Sequence, residues 1–336
     1  MINFKAIKGI EDAMESKGAD GYLILNPYNI KYVCGIFLHG FPPLSAVLVT
    51  KKGEFHGITS PLEENRAKDF FDGVLSTFTS SKNMPWEFVE SREKALEKLL
   101  KSTNMKKVVS DSEIKIEGFE IERDDTIYNM RMIKDKRELK IMEKAINIAE
   151  RALYDIRDFI ISGVSEAEIM REVVSSILSN GGDWPSFDII VASGPNTAYP
   201  HHEPTNRVLK KGEPVIVDLG AYYMGYASDI TRTFFVDDEA RDPWETYYGL
   251  VLDMQRAAFD TIRSGIKSSN VDDATRRVLQ ESFGVNALKW YNHSTGHGVG
   301  LEVHEKPYIG PPTKDEKNVV TLEEGMVFTK IGRAHV

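Results

Sequence analysis

Residues 213–235, EPVIVDLGAYYMGYASDITRTFF, place two acidic residues, Asp218 and Asp229, inside runs that otherwise read as apolar strand. Residues 215–219 are short, β-branched and apolar, and 230–235 are rich in β-formers, with a turn-like segment at 222–225 between them. Two such runs around a tight connection predict a hairpin. A carboxylate in a buried strand carries a large desolvation cost unless a cation or hydrogen-bond donors compensate it. Two of them on paired strands therefore suggest a shared positive charge, for which a metal ion is the economical candidate. The alternative is that Asp218 closes a turn before Leu219 and Gly220 while Asp229 starts a strand, each satisfied by backbone N–H groups.

The length of 336 residues allows roughly two domains. A net charge of −9 argues against general affinity for nucleic acid. No run approaches the ~18 apolar residues that a bilayer span requires, and residues 1–20 have the pattern of a charged amphipathic helix rather than a signal peptide, so a cytoplasmic home is expected. The single cysteine, Cys34, excludes an internal disulfide and sits among apolar residues, as a packed thiol would.

Residues 1–127 alternate strand-like runs (21–25, 45–50, 107–110) with helical patterns such as 91–101, where Ala95, Leu96, Leu99 and Leu100 form one stripe. They read as an α/β domain. His39 and His56 stand alone in it, without the spacing of a catalytic cluster. A second pattern occupies 128–330. Apolar residues from Ile141 to Ile160 recur at helical spacing, predicting a helix over 136–161. Ser165 and Glu168 form a capping box opening a second helix that Gly181 and Gly182 end. A strand at 187–192 and the acidic hairpin follow. The order then recurs: Asp242, Pro243 and Glu245 predict the start of a helix to about 264, and Asn270 is expected to cap another ending at Phe283. Two successive helix-helix-strand blocks suggest a pseudo-twofold domain whose site draws residues from both halves.

Five of the eight histidines fall between His201 and His304. Glycines on both sides of His297 let the backbone approach a site closely, whereas His304, seven residues on, is too distant to share a local turn with it.

These stretches carry a resemblance. IVASGPNTAYPHH (190–202), VIVDLGAYYMGYASDITRTF (215–234), GHGVGLEVHE (296–305) and EEGMVFT (323–329) resemble, in order and spacing, the motifs of the creatinase, aminopeptidase P and prolidase family of pita-bread metallopeptidases. IKDKRELKIMEKA (133–145) is similar to the start of that family's catalytic domain, and the region before it to its N-terminal domain. The resemblance implies an α+β fold, an N-terminal α/β creatinase-like domain (1–127) followed by a pita-bread catalytic domain (128–330). It implies hydrolysis of Xaa-Pro bonds in proline-containing peptides by two divalent ions (Mn, Co, Fe or Zn), in a homodimer. Asp218 would bind one ion, Asp229 would bridge both, and His297 would be the histidine ligand. His201 and His304 would bind substrate and stabilise the tetrahedral intermediate. A carboxylate-rich set with one imidazole suits such ions over thiophilic ones.

The ending departs from the family pattern. The family's first glutamate ligand is expected two residues after Thr329, where Ile331 stands, and the second on a later strand. Residues 331–336 resemble an in-frame translation of a sequencing adapter, so a non-native tail is expected, and with it a 336-residue chain that holds at most one ion weakly and lacks turnover. Dipeptidases of the family commonly carry a basic residue four positions after the second histidine, where Tyr308 stands, which favours an aminopeptidase or a non-peptide hydrolase of creatinase or ectoine-hydrolase type. A metal-free protein-binding module is the reading from another class. It is countered by the presence of Asp218, Asp229 and His297.

Overall fold

In this computed structural model residues 3–36, 42–238 and 244–330 are described, and the chain divides into two compact units, Met1–Arg131 and Met132–Val336. His39, Asp242 with its expected helix cap, and the tail 331–336 lie outside the described residues.

In the first unit, β1 (Gly21–Ile24), β2 (Ala46–Thr50), β3 (Phe55–Thr59), β4 (Val74–Thr79), β5 (Glu87–Phe88), β6 (Lys107–Ser110) and β7 (Glu120–Arg123) form one mixed sheet in the order β5-β4-β3-β2-β1-β6-β7. Helices α1 (Phe4–Lys17), α2 (Pro27–Cys34), α3 (Glu64–Phe70), α4 (Arg92–Ser102) and α5 (Thr126–Met132) accompany it. β1 and β2 are buried along their whole length, which explains their unbroken apolar runs. Ser91 caps α4 by accepting from the Lys94 N–H, and the stripe Ala95, Leu96, Leu99 and Leu100 packs on Leu23, Leu48 and Val108. Cys34 is buried, and that burial pushes its thiol up to about 12, so it is a packing residue and no thiolate nucleophile.

The second unit opens with α6 (Lys136–Asp155), started by a capping box between Asp135 and Glu138. The helix expected to reach residue 161 ends at Asp155 and continues as a 3-10 turn over Arg157–Phe159. Ile156 and Ile160 still face the core through that turn, so the apolar spacing continues past the end of the α-helix. Ser165 and Glu168 form the expected capping box of α7 (Glu166–Ser179). The two helices pack Ile148, Ala152, Val173 and Ile177 against Val191, Val215 and Val217. The last three lie on β9 (Ile190–Ser193) and β10 (Pro214–Leu219), within a three-stranded sheet of order β13-β10-β9 whose edge is β13 (Ile230–Phe235). The expected hairpin is present, with Asp218 opposite Thr231. Its connection contains β11 (Ala221–Tyr223) and β12 (Tyr226–Ala227), which with β8 (Trp184–Pro185) form a second sheet of order β12-β11-β8. Met224 (φ 48°) and Gly225 (φ 80°) make the two-residue turn that right-handed strand twist favours.

The second half repeats the order with α8 (Trp244–Thr261), α9 (Ser268–Phe283), β14 (Gly296–Gly298) and β15 (Glu305–Ile309). Asn270 is not the cap of α9. The cap position is Lys267, whose side chain makes no capping bond, and Asn270 is the third residue of the helix. Backbone pairing sets this start: Lys267 bridges Thr321, and Ser268 N–H donates to Val320 O at 2.8 Å.

Candidate active site

A cleft of about 1200 Å³ opens in the second unit, and Asp218, Asp229, His201, His297 and His304 all line it. Strand alternation explains the acids. Val215, Val217 and Leu219 point into the core, which leaves Ile216 and Asp218 on the opposite face with Thr231 and Thr233 of β13, all four lining the cleft. Asp218 Oδ1 accepts from Thr231 Oγ1 at 2.6 Å. Asp229, the residue before β13, places Oδ2 at 3.3 Å from His297 Nε2.

His297 comes from the other half, on β14. The Cβ that any other residue would carry at 296 would collide with Thr329 O, and one at 298 with Lys306 O, so the two flanking glycines admit the neighbouring backbone. His297 Nδ1 lies 3.1 Å from Gly298 O. A carbonyl only accepts, so Nδ1 carries the hydrogen and Nε2 of the neutral ring would present a lone pair to the Asp229 carboxylate. Two acceptors facing each other need a proton or a cation between them. Burial disfavours a charged His297, yet its bonds to Asp229 and Gly298 outweigh that and raise its pKa.

His304 does not stay apart from His297 as the seven-residue spacing suggests: their ring centroids are 4.1 Å apart. The intervening loop doubles back, with Gly300 N–H donating to Glu302 O at 3.0 Å. A buried ion pair, Lys134 Nζ to Glu305 Oε1 at 2.7 Å, holds its end. Burial, then the charge of neighbouring His297, lower the pKa of His304. A neutral ring with one N–H and one lone pair can donate to a developing oxyanion or exchange a proton.

Four further residues belong to the site's construction. His202 and His293 line the cleft. Glu166 and Asp272, both fully buried, anchor its two histidine-bearing segments. Asp272 Oδ1 accepts from Thr295 Oγ1 (2.7 Å) and Oδ2 from Arg276 Nε (2.6 Å), while Arg276 donates to the carbonyls of Tyr291 and His293. In the sequence Glu166 lies between Ser165 and Glu168 of the capping box, and Asp272 and Arg276 have only the i,i+4 spacing of an ordinary helical pair. Only the tertiary fold buries them.

Among the described residues no three His, Cys, Asp or Glu side chains form a group that could hold a metal ion. The donors present nonetheless fit one chemically: an imidazole lone pair facing a carboxylate oxygen, with a second carboxylate on the adjoining strand, is an oxygen-rich set with one nitrogen.

Comparison with known proteins bears on this site. Residues 140–331 match the model of metallopeptidase family M24, and residues 7–113 that of the creatinase/prolidase N-terminal domain. The chain belongs to metallopeptidase family M24. An M24 relative, the Xaa-Pro dipeptidase of Pyrococcus horikoshii, is 32% identical over 98% of this chain and 92% of its own length. The prolidase crystal structure from the same organism superposes with a TM-score of 0.81 at 30% identity, covering 97% of this chain and 89% of that one. The X-Pro aminopeptidase of Thermotoga maritima superposes with a TM-score of 0.80 at 27% identity over 97% and 88%. This M24 chain therefore has the pita-bread fold behind a creatinase-like N-terminal domain. M24 proteins are metallopeptidases, so the chain is one of a family of metal-dependent enzymes. No helix of the described residues is long and apolar enough to cross a membrane.

Proposed function

We propose that this M24 protein hydrolyses the bond before proline in Xaa-Pro peptides. The observation that carries the reading is the meeting of Asp218, Asp229 and His297 from two halves of the fold in one cleft with His201 and His304. Its relatives named Xaa-Pro dipeptidase and X-Pro aminopeptidase support the substrate class. Asp218, Asp229 and His297 would hold divalent ions of the Mn, Co, Fe or Zn group. When bound, such ions polarise a carbonyl and make water a nucleophile at neutral pH. His304, whose pKa burial lowers, presents an N–H to the oxyanion that forms at the scissile carbonyl, stabilising the transition state more than the ground state. His201, exposed on the cleft wall, joins it from the first half in binding the substrate and stabilising the tetrahedral intermediate.

Specificity within the class is set by what receives the substrate beyond proline. The cations among the described lining residues are Arg232 and Lys330, and Tyr308 stands four positions after His304. This favours peptides longer than a dipeptide. Turnover of Xaa-Pro dipeptides, longer Xaa-Pro peptides and creatine-like amidines, with added Mn²⁺ or Co²⁺, tests the proposal. Hydrolysis confined to the amidines would overturn it, as would no turnover of any substrate by a chain in which residues 330–336 are replaced by an ending that restores the family's two glutamates. A homodimer is part of the same reading, and sedimentation velocity checks it.

A further inference from the structure

We infer that Glu166 is a positioning residue for the His201 arm of the cleft. The inference rests on the proposed role of His201. Glu166, the first residue of α7, is fully buried and spreads its carboxylate over both ends of the segment 193–205. Oε1 accepts from Ser193 N–H (2.8 Å), Ser193 Oγ (2.7 Å) and Asn196 Nδ2 (2.9 Å). Oε2 accepts from Thr205 N–H (3.1 Å), Thr205 Oγ1 (2.7 Å) and His202 Nε2 (2.9 Å).

Six donors converge on one carboxylate. Ser193 ends β9, the strand beside the one that carries Asp218, and His202 is the immediate neighbour of His201. The charge of Glu166 thus closes a loop that starts at the sheet and returns through the histidine pair. Because a carboxylate only accepts, His202 must carry its hydrogen on Nε2, which fixes that ring and the backbone joining it to His201. Arg207 ties the closure to the sheet a second time, donating to Ser193 Oγ (2.7 Å) and to both oxygens of Glu213, the residue preceding β10. A carboxamide in place of Glu166 turns its NH2 toward either Ser193 N–H or Thr205 N–H, neither of which can accept, and so opens one end of the loop.

The variants are Glu166→Gln and, in case that fold is lost, Thr205→Val with Thr205→Ser as its conservative partner. Three quantities are measured on the full chain: kcat and KM for an Xaa-Pro peptide, Mn²⁺ affinity by calorimetry, and histidine ring NMR resonances of the metal-free protein. Glu166→Gln should lower kcat on the order of 10²-fold with KM changed less than about threefold. Mn²⁺ affinity should hold, and the rings of His201 and His202 should shift while those of His297 and His304 do not. Thr205→Val should move the same rings and Thr205→Ser should restore them. Unmoved His201 and His202 resonances overturn the inference, as does a parallel loss of Mn²⁺ affinity and kcat. If the wild type turns over no Xaa-Pro peptide, as expected above for the 336-residue chain, the ring resonances alone decide the positioning of the arm.

Discussion

Single residues in this protein are set by how few partners can satisfy a buried charge. Glu166 is the clearest case: burial raises a carboxyl pKa, but the bonds from Ser193, His202, Asn196 and Thr205 outweigh it and hold the group at about 2, below its usual 4.5. A carboxylate depressed in the folded state contributes stability that is fully present above pH 4.5 and lost as pH falls through 2. The contribution is roughly 3 kcal/mol by linkage. Glu166→Gln should therefore flatten the acid limb of a urea-stability curve between those values, and an unchanged limb would show that the six bonds are not made in solution. His304 answers a different question. In a chain whose ending restores the family's two glutamates, His304→Ala should lower kcat on the order of 10²-fold, as loss of an oxyanion donor does, with metal content kept. Measured by turnover and metal analysis, a proportional fall in both would make His304 a ligand instead. Asp218, Asp229, His201, His297 and His304 were legible as a group because each lies in a contiguous motif. Glu166 and Asp272 were not, since a buried carboxylate and an exposed capping one look the same in a linear sequence.

Among elements, the start of α7, which its capping box sets, was read correctly, and the start of α9, which tertiary pairing sets, was not. The capping boxes of α6 and α7 satisfy free N–H groups from within four residues, and such signals survive in sequence. At α9 the chain enters the helix already paired with residues 320–321, so the capping potential of Asn270, two residues further in, goes unused. Ser165→Ala should then cost about 1 kcal/mol of unfolding free energy, while Asn270→Ala costs about nothing or slightly stabilises the helix interior. Chemical denaturation of both variants checks this pair. Equal losses would restore Asn270 to the capping list. The end of α6 was misread for a related reason. A 3-10 turn continues to bury Ile156 and Ile160, and spacing of apolar residues reports burial, not hydrogen-bond pattern.

At the scale of the whole second unit, the recurring helix-helix-strand order was visible in sequence, but the inequality of its halves was not. Helical periodicity shows which face is apolar and says nothing of how much partner surface meets it. In the first half α6 and α7 share one continuous core with three strands. In the second, α8 buries only Met254 and Ala258, and the apolar residues split into two small clusters, one around Leu279 and Tyr291 and one around Val271 and Ile309. Regions with few buried apolar contacts open at lower free energy, so amides of α8 and α9 should exchange faster with deuterium than those of α6 and α7. The candidate ligands straddle this boundary: Asp218 and Asp229 come from the well-packed half, and His297 from the other. An ion held by both halves must be released before the weaker half opens, so Mn²⁺ at 100 times its Kd should stabilise against that opening by about 2.7 kcal/mol. Exchange in α9 and β14 should slow on the order of 100-fold, and α6 and α7 should change least. Uniform protection across the unit would mean that the ion guards only global unfolding. Protection confined to the Asp218 strand would mean that His297 does not bind it, and would remove the second half from the metal site.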